Sequence, residues 1–567
     1  MRLAVLALCM VFFRTIAAQH VIEARVIDGA SSEPLPYATV LLNGKSKGTI
    51  SNAEGRFRVP LGSASDSLRV SYVGYRPVMV PLSIALDGKD ILMDRTVHEL
   101  GEAVIRPGED PYKRFVAASN WMRRAPEVSS KLYFGLETHS DDIPVEVMEG
   151  YFNATFKAAV LRSLRYKQGI IGLAPKAGRH FINYNTASAL VFLDIHGRQP
   201  WFPTSPFSFN TIRELRTHYS VEWVSTGTGS EGVDQLVAVP REGNAGAFKA
   251  FLWLVPGRPT ARALELQCIN CARHPLVPLF DHGRIDTVDL RYKQIWSMNG
   301  PAMPEVIQVD YTVAYTDPAF HDRYRTSVVL YAYDRGQQFI PTLFPWKNGL
   351  NEYPMIAWMP RDTAFWERMS PPVPTERQTR DREIVLRNDV TRNAWFDSLR
   401  LDHHHLRPHY LAWSKDLWVD STHLSGVPVD RPNDGRSPPN VQLRTHLYLD
   451  MDTTGGTLHH RTLAVLDAQA SWYLYPWEPW ASAYCTLFLD LCEIERRALE
   501  ERLNEPGMTL SRARQLHKEH TQRMKDEQKR FLMAVESQLI QLRSWNVRVR
   551  ETLGVDRLRG AHLGPEE

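Results

Sequence analysis

Cysteine is scarce in this chain. Five occur in 567 residues, and Cys9 falls inside the N-terminal apolar run, which leaves Cys268, Cys271, Cys485 and Cys492. That sparseness excludes a disulfide-dense miniature scaffold. An excess of one charge is also missing. Lys+Arg number 67 against Asp+Glu 64, for a net charge of +3, which removes the electrostatic footprint of a nucleic-acid binder. Beyond the N-terminus no stretch offers about 18 consecutive apolar residues, so no membrane helix is expected in the mature chain. The pattern H-E-x-x-H is absent, and with it the usual helix of a zinc peptidase. What is present is a hydrophobic fraction of 43%, ordinary for a folded protein. The length suits roughly three or four domains, and an aromatic fraction of 10% suits β-rich packing.

The first 19 residues read as an address. Arg2 supplies the positive start, Leu3–Phe13 an apolar run too short to span a bilayer, and Ala17-Ala18 the small residues before cleavage. Residues 1–18 are therefore expected to be a signal peptide. Acylation at Cys9 would need a small residue where Leu8 stands. If Cys485 and Cys492 share a helix, they lie about 10 Å apart along its axis, beyond the reach of a disulfide.

Residues 19–106 alternate strand and turn. Val21–Ile27, Tyr37–Leu42, Arg56–Val59 and Leu68–Tyr72 read as strands; Asn43-Gly44 and Asn52–Gly55 read as turns. The spacing predicts a small antiparallel sandwich. Ile27-Asp28, Glu33–Ala38, Gly48-Thr49, Glu54–Phe57, Ser71–Tyr75 and Leu100–Ile105 together resemble the carboxypeptidase regulatory-like domain of exported proteins of the Bacteroidota type. The resemblance implies a seven-stranded transthyretin-like sandwich without a catalytic site, in which the Gly, Asp and Asn positions serve turns.

Residues 107–370 open with a predicted helix over Asp110–Arg124, where Tyr112, Phe115, Val116 and Trp121 recur at helical spacing. Strands then dominate to Tyr333. The run from Leu132 to Leu173 is similar to the central region of long exported Bacteroidota proteins that carry the same module. That likeness implies a strongly curved antiparallel sheet, like a half-barrel lipoprotein carrier, whose concave face could hold an apolar ligand. The alternative is a closed core. Residues 371–440 read as linker with a short helical segment over Asn388–Trp413. Residues 441–567 read as a β-hairpin with its turn at Asp450–Gly456, then a helical hairpin over Tyr484–Leu503 and Leu510–Thr552. In its second arm Leu516, Met524, Phe531, Val535, Leu542 and Val549 share one stripe. The tail from Asp556 is expected to fray. The fold class is thus mainly β with α: an N-terminal sandwich, a central antiparallel sheet region, curved if the likeness holds, and a C-terminal β-hairpin with helices.

Chemistry-bearing patterns are thin. Asp402, His403 and His405, with His409, form the densest metal-capable cluster, though adjacent His residues on one helix point to different sides. His459-His460 face opposite ways on a strand. Cys268-Ile269-Asn270-Cys271 is a CxxC, but Ala272–Pro275 cannot start the helix that a redox motif needs, so a local disulfide or two free thiols are expected. Asp450-x-Asp452-x-Thr454 resembles the opening of a calcium loop, yet Arg461 stands where the closing Glu belongs. Gly44-Lys45-Ser46 lacks the first Gly of a phosphate loop, Gly227–Gly232 reads as a turn, and His20-x-x-Glu23 is an accident of the mature terminus. Ser471-Trp472 and the helix around Asp490 resemble an exported family with a zinc-protease-like helix. The two ligand positions would fall on Tyr484 and Phe488, which implies at most an inactive relative. The reading is a non-enzymatic envelope binding or scaffolding protein, exported and periplasmic or outer-membrane-associated. It would need no cofactor, and its partner would be an envelope protein, polymer or lipid. A metal-dependent hydrolase, or an inactive relative of one, and a lipid or lipoprotein carrier are the alternatives.

Overall fold

A computed structural model describes residues 21–42, 48–60, 66–83, 86–95, 109–176, 184–225, 233–241, 246–276, 283–296, 303–318, 320–345, 353–369, 371–387, 409–424, 439–454, 456–535 and 540–558. The expected signal peptide, the Asn43-Gly44 turn and the closing segment Leu100–Ile105 lie outside these. The architecture is mainly β.

Seven strands open the chain: β1 (Val21–Asp28), β2 (Thr39–Leu42), β3 (Gly48–Ile50), β4 (Arg56–Pro60), β5 (Ser67–Ser71), β6 (Val78–Pro81) and β7 (Asp90–Met93). They form sheets of order β4-β1-β7 and β3-β2-β5-β6. Ile22, Ala24 and Val26 of β1 share one core with Val40, Leu68 and Val70 of the second sheet, the alternation a sandwich requires. One pairing departs from the antiparallel expectation: β1 runs parallel to β7. Turn chemistry is as read. Asn52 accepts the N–H groups of Glu54 and Arg56, each at 2.9 Å, and Gly55 sits at φ +78°, where a side chain would be strained.

The chain then enters helix α1 (Pro111–Arg123), capped by Asp110 with Pro at its first position, a favoured start. Ten strands follow: β8 (Val128–Ser140), β9 (Ile143–Lys157), β10 (Val160–Leu173), β11 (Tyr219–Ser225), β12 (Asp234–Pro240), β13 (Lys249–Leu254), β14 (Ala261–Cys268), β15 (Arg284–Ile295), β16 (Val306–Asp317) and β17 (Phe320–Tyr333). They make one antiparallel sheet of order β10-β9-β8-β17-β16-β15-β14-β13-β12-β11. Along β8 and β9 the even residues Leu132, Phe134, Leu136, Met148, Phe152 and Ala154 join Phe115, Ala118 and Met122 of α1 in the main core. Phe115 stacks on Phe207 at 4.7 Å between centroids. The inner face of the sheet is thus covered by the chain's own side chains. The odd residues face the sandwich: Tyr133, Tyr151 and Tyr331 cluster with Ile50 and, beside it, Tyr37 and Val73.

Between sheet and C-terminus the structure corrects several expectations. Short helices Tyr353–Trp358 and Thr363–Arg368 interrupt the β-rich region, and a further helix, Glu376–Arg387, replaces the end of the first linker. Most of Asn388–Trp413 lies outside the described residues, but its end, Tyr410–Ala412, is a strand paired with Val465–Asp467, not a helix. The hairpin pairs Thr445–Thr454 with Thr457–Asp467, so Asp450 and Asp452 are strand residues rather than turn residues. Asp450, Met451 and Asp452 are all buried, because the strand lies on the sheet: Lys167 Nζ donates to Asp450 and to the carbonyl of Ile340 at 3.0 Å.

The helical hairpin becomes three helices, Pro479–Leu503, Leu510–Val535 and Ile540–Leu553. Phe531 and Trp545 have ring centroids 5.6 Å apart, and Arg548 pairs with Glu527. On one straight helix these partners would lie about 20–30 Å apart, so the chain folds back and the single stripe does not exist. The tail does not fray at Asp556. Arg557 is 1% exposed and grips Asp490 through two bonds of 2.9 Å. No described helix is long and apolar enough to cross a membrane.

Candidate functional site

Opposite the dry core, the outer face of the sheet meets the sandwich and the helix Glu376–Arg387, and a cleft of about 640 Å³, its mouth included, opens between the three. Its floor comes from β8 and β9. Tyr133, Gly135 and Glu137 alternate on one side, with Glu149 directly across from Gly135. Glu137 and Glu149 are therefore diagonal neighbours on one face. Gly135 matters because a Cβ there would meet the Tyr133 ring at 3.3 Å. Tyr37 and Asn52 close the cleft from the sandwich, and Pro372, Val373, Pro374 and Gln378 close it from the third side.

The two carboxylates are unequal. Glu149 holds a forked ion pair with Arg382 at 2.9 and 3.0 Å, yet burial still raises its pKa. Among the described residues Glu137 has no such ion pair, and the Gln378 side chain hydrogen-bonds it. Burial, with Asp381 and Glu149 adding like charge, pushes it up to about 7 against the pull of Gln378 and Arg377. Asp381 is itself engaged by His139 at 2.9 Å and Arg377 at 3.3 Å. On the sandwich side Asn52, 4% exposed, leaves its side-chain nitrogen without a hydrogen-bond partner. The arrangement offers a cation a pair of carboxylates with low surrounding dielectric. It also offers a proton a carboxyl poised near neutrality.

Of the residues singled out in the sequence, Asp402, His403 and His405 lie outside the described residues. His409 contacts the Gln469 amide at 2.5 Å, and its backbone carbonyl accepts from Ala468. Among the described residues no three His, Cys, Asp or Glu side chains gather as a metal set. Cys268 and Cys271 are paired, with Cα atoms 5.5 Å apart. Asn270 turns the chain at φ 49°, and no helix begins in the described residues 271–276 that follow. The calcium-loop likeness fails on contacts: Asp450 is bound by Lys167 and by Gln168 at 2.9 Å, Asp452 by Arg368 at 2.8 Å. The segments around Gly44-Lys45-Ser46 and Gly227–Gly232 lie outside the described residues.

The zinc-protease-like stretch serves packing. Tyr484 and Phe488 rest on Phe531 at 5.3 and 6.2 Å. Asp490 holds Arg557 and accepts from the Trp413 indole at 2.6 Å. Ser471 donates to the Asp467 carbonyl at 2.7 Å. Sequence reasoning missed Glu137, Glu149, Tyr37 and Asn52. The available signal was the alternation in LYFGLET and VMEGYF, whose polar side reads as solvent-facing until something is known to cover it.

Residues 22–105 match the family described as CarboxypepD_reg-like domain, so the chain carries that module at its N-terminal end. No curated protein matches the chain. Among solved structures it is similar to a LolA superfamily protein from Nitrosomonas europaea, with 10% identity, 41% of this chain and 96% of that one covered, and a TM-score of 0.18. It is also similar to the MucA/MucB complex of Pseudomonas aeruginosa, with 9% identity, 40% and 94% covered, and a TM-score of 0.13. A membrane-associated protein of unknown function from Bacteroides fragilis gives 10% identity, 55% and 98% covered, and a TM-score of 0.11.

Proposed function

We propose that the protein is an exported, non-enzymatic binding protein of the cell envelope. Its partner would be held in the cleft between the sandwich and the outer face of the sheet through a positively charged group. The observation that carries this reading is the Glu137–Glu149 pair on the cleft floor. A cation gains most where carboxylates are partly desolvated and their own counter-charge is incomplete. The inner face, where an apolar ligand would sit in a lipid carrier, is occupied by Phe115, Phe134, Phe152 and their neighbours.

The purified chain, titrated calorimetrically with short lysine-rich, neutral and glutamate-rich peptides of equal length, tests this. The lysine-rich series should bind, and Glu149→Gln should weaken it at least tenfold with the thermal midpoint little changed. Because the cation favours ionised Glu137, affinity should rise about tenfold from pH 6 to pH 8. Peptides recovered cleaved, or bound without regard to charge, overturn the reading. N-terminal sequencing of envelope-derived protein should begin after Ala18.

A further inference from the structure

Tyr37 borders a second crevice, on the far side of the same junction, and its character is opposite. About 430 Å³ of empty space, mouth included, lies between Tyr37, Thr39 and Tyr72 of the sandwich and Arg262, Ile295 and Trp296 of the sheet. Arg262 is the extra residue of a β-bulge. Trp253 pairs with Ala263 and Leu254 with Ala261, so Arg262 has no cross-strand partner in β13. Bulges re-aim side chains, and the backbone N–H of Trp296 holds this one by donating to the Arg262 carbonyl at 2.9 Å.

Two residues that line the crevice carry donors without a hydrogen-bond partner among the described residues. No carboxylate among the described residues pairs with Arg262. Burial, with the nearby cation Arg69 adding to it, pulls its pKa below the usual guanidinium value. Trp296 lines the crevice while packing with the main core; it is 3% exposed and its indole N–H has no hydrogen-bond partner, and an unmet buried donor costs free energy. The neighbouring acids are committed elsewhere. Glu265 is forked onto Arg291 at 2.7 and 2.9 Å, Asp310 accepts from Ser327 and Gln308, and Glu305 accepts from Thr39 at 3.2 Å. A half-buried fork of donors without an acid is the geometry that planar oxyanions complete.

We propose that this crevice binds an oxyanion, a carboxylate or phosphate group presented by a ligand, on the Arg262 guanidinium beside Trp296. It is distinct from the acidic cleft and does not depend on what that cleft binds. Calorimetric titration of the full chain with inorganic phosphate and with acetate, at matched ionic strength in a chloride background, tests it, and the stronger of the two identifies the source chemistry. One saturable equivalent is expected. Arg262→Gln should weaken it at least tenfold, Arg262→Lys should weaken it less, because the charge remains and the fork is lost, and Trp296→Phe should weaken it severalfold. Glu137→Gln should leave it unchanged. Absence of saturable binding up to about 50 mM, or binding equal in wild type and Arg262→Gln, overturns the proposal. Should Arg262→Gln fail to fold by circular dichroism, Arg262→Lys and Trp296→Phe carry the test, and equal binding in both overturns it.

Discussion

Phe152 and Tyr151 are neighbours on one strand, and their side chains serve opposite faces of one sheet. Phe152 enters a core of Phe134, Tyr166 and the residues of α1. Tyr151 enters the junction, edge-on to Tyr133 and Phe365, with its hydroxyl unpartnered. The inner face resembles the interior of any domain, where shape decides. The outer face is buried too, but by another domain and a helix laid on a surface that kept its charges. Burial of polar groups without full pairing is costly, and the outer face tolerates it at Glu137, Arg262 and Tyr151.

Substitutions can break the comparison. Phe152→Ala should cost about 3–5 kcal/mol, the range for a large aromatic removed from a tight core. Tyr151→Phe, one residue on, removes an unmet hydroxyl and should change stability by less than about 1 kcal/mol. Paired denaturant melts would show this, and equal losses would mean that the two faces are packed alike.

Lys167→Met probes charge on the sheet where it is fully committed. The lysine is 1% exposed and bonds Asp450 and the Ile340 and Met451 carbonyls. Leaving Asp450 buried without its cation should cost about 3 kcal/mol, recovered in large part by adding Asp450→Leu. A double variant no better than the single one would mean that the lysine acts through packing alone.

Glu137→Gln sharpens the contrast within the outer face. Its folded pKa of about 7 lies above the ordinary value of 4.5, so between those pH values the folded state holds more proton than the unfolded one. Stability must then fall as pH rises through that window. The glutamine variant loses this slope: it should match wild type at pH 4 and exceed it by about 3 kcal/mol at pH 8. Parallel pH profiles of the thermal midpoint would show that Glu137 titrates normally.

Much of the fold was legible because alternation is local. The strands of the sandwich, α1 and the Asn52–Gly55 turn follow from residues within a few positions of one another. What was illegible depended on partners distant in sequence. Asp450 and Asp452 looked like a turn because nothing nearby reveals Lys167 and Arg368. Arg557 looked like a loose tail because its partner, Asp490, lies on another helix. Residues 536–539 hold no Pro or Gly, so nothing in the sequence announces that one helix ends at Val535 and the next begins at Ile540. The cleft was invisible for the same reason: Glu137 sits at a polar position of an amphipathic strand, and only the sandwich and the helix Glu376–Arg387 convert that position into a floor.

Thiol chemistry gives the smallest effect and closes the contrast from the other side. Cys485 and Cys492 are buried in the C-terminal core. Burial raises both thiols, Cys492 up to about 12, so neither is a thiolate at neutral pH and neither should react. Alkylation of the native chain at pH 7.5 should therefore leave both untouched, with no change in stability. After unfolding without reductant both should be labelled, while Cys268 and Cys271, paired in the structure, should be labelled only once reductant is added. Native labelling of Cys485 would mean that the core opens under ordinary conditions. Labelling of Cys268 without reductant would mean that the CxxC holds free thiols. In either event cysteine would move from the inert side of the molecule to the side that, like the outer face of the sheet, keeps reactive groups in reserve.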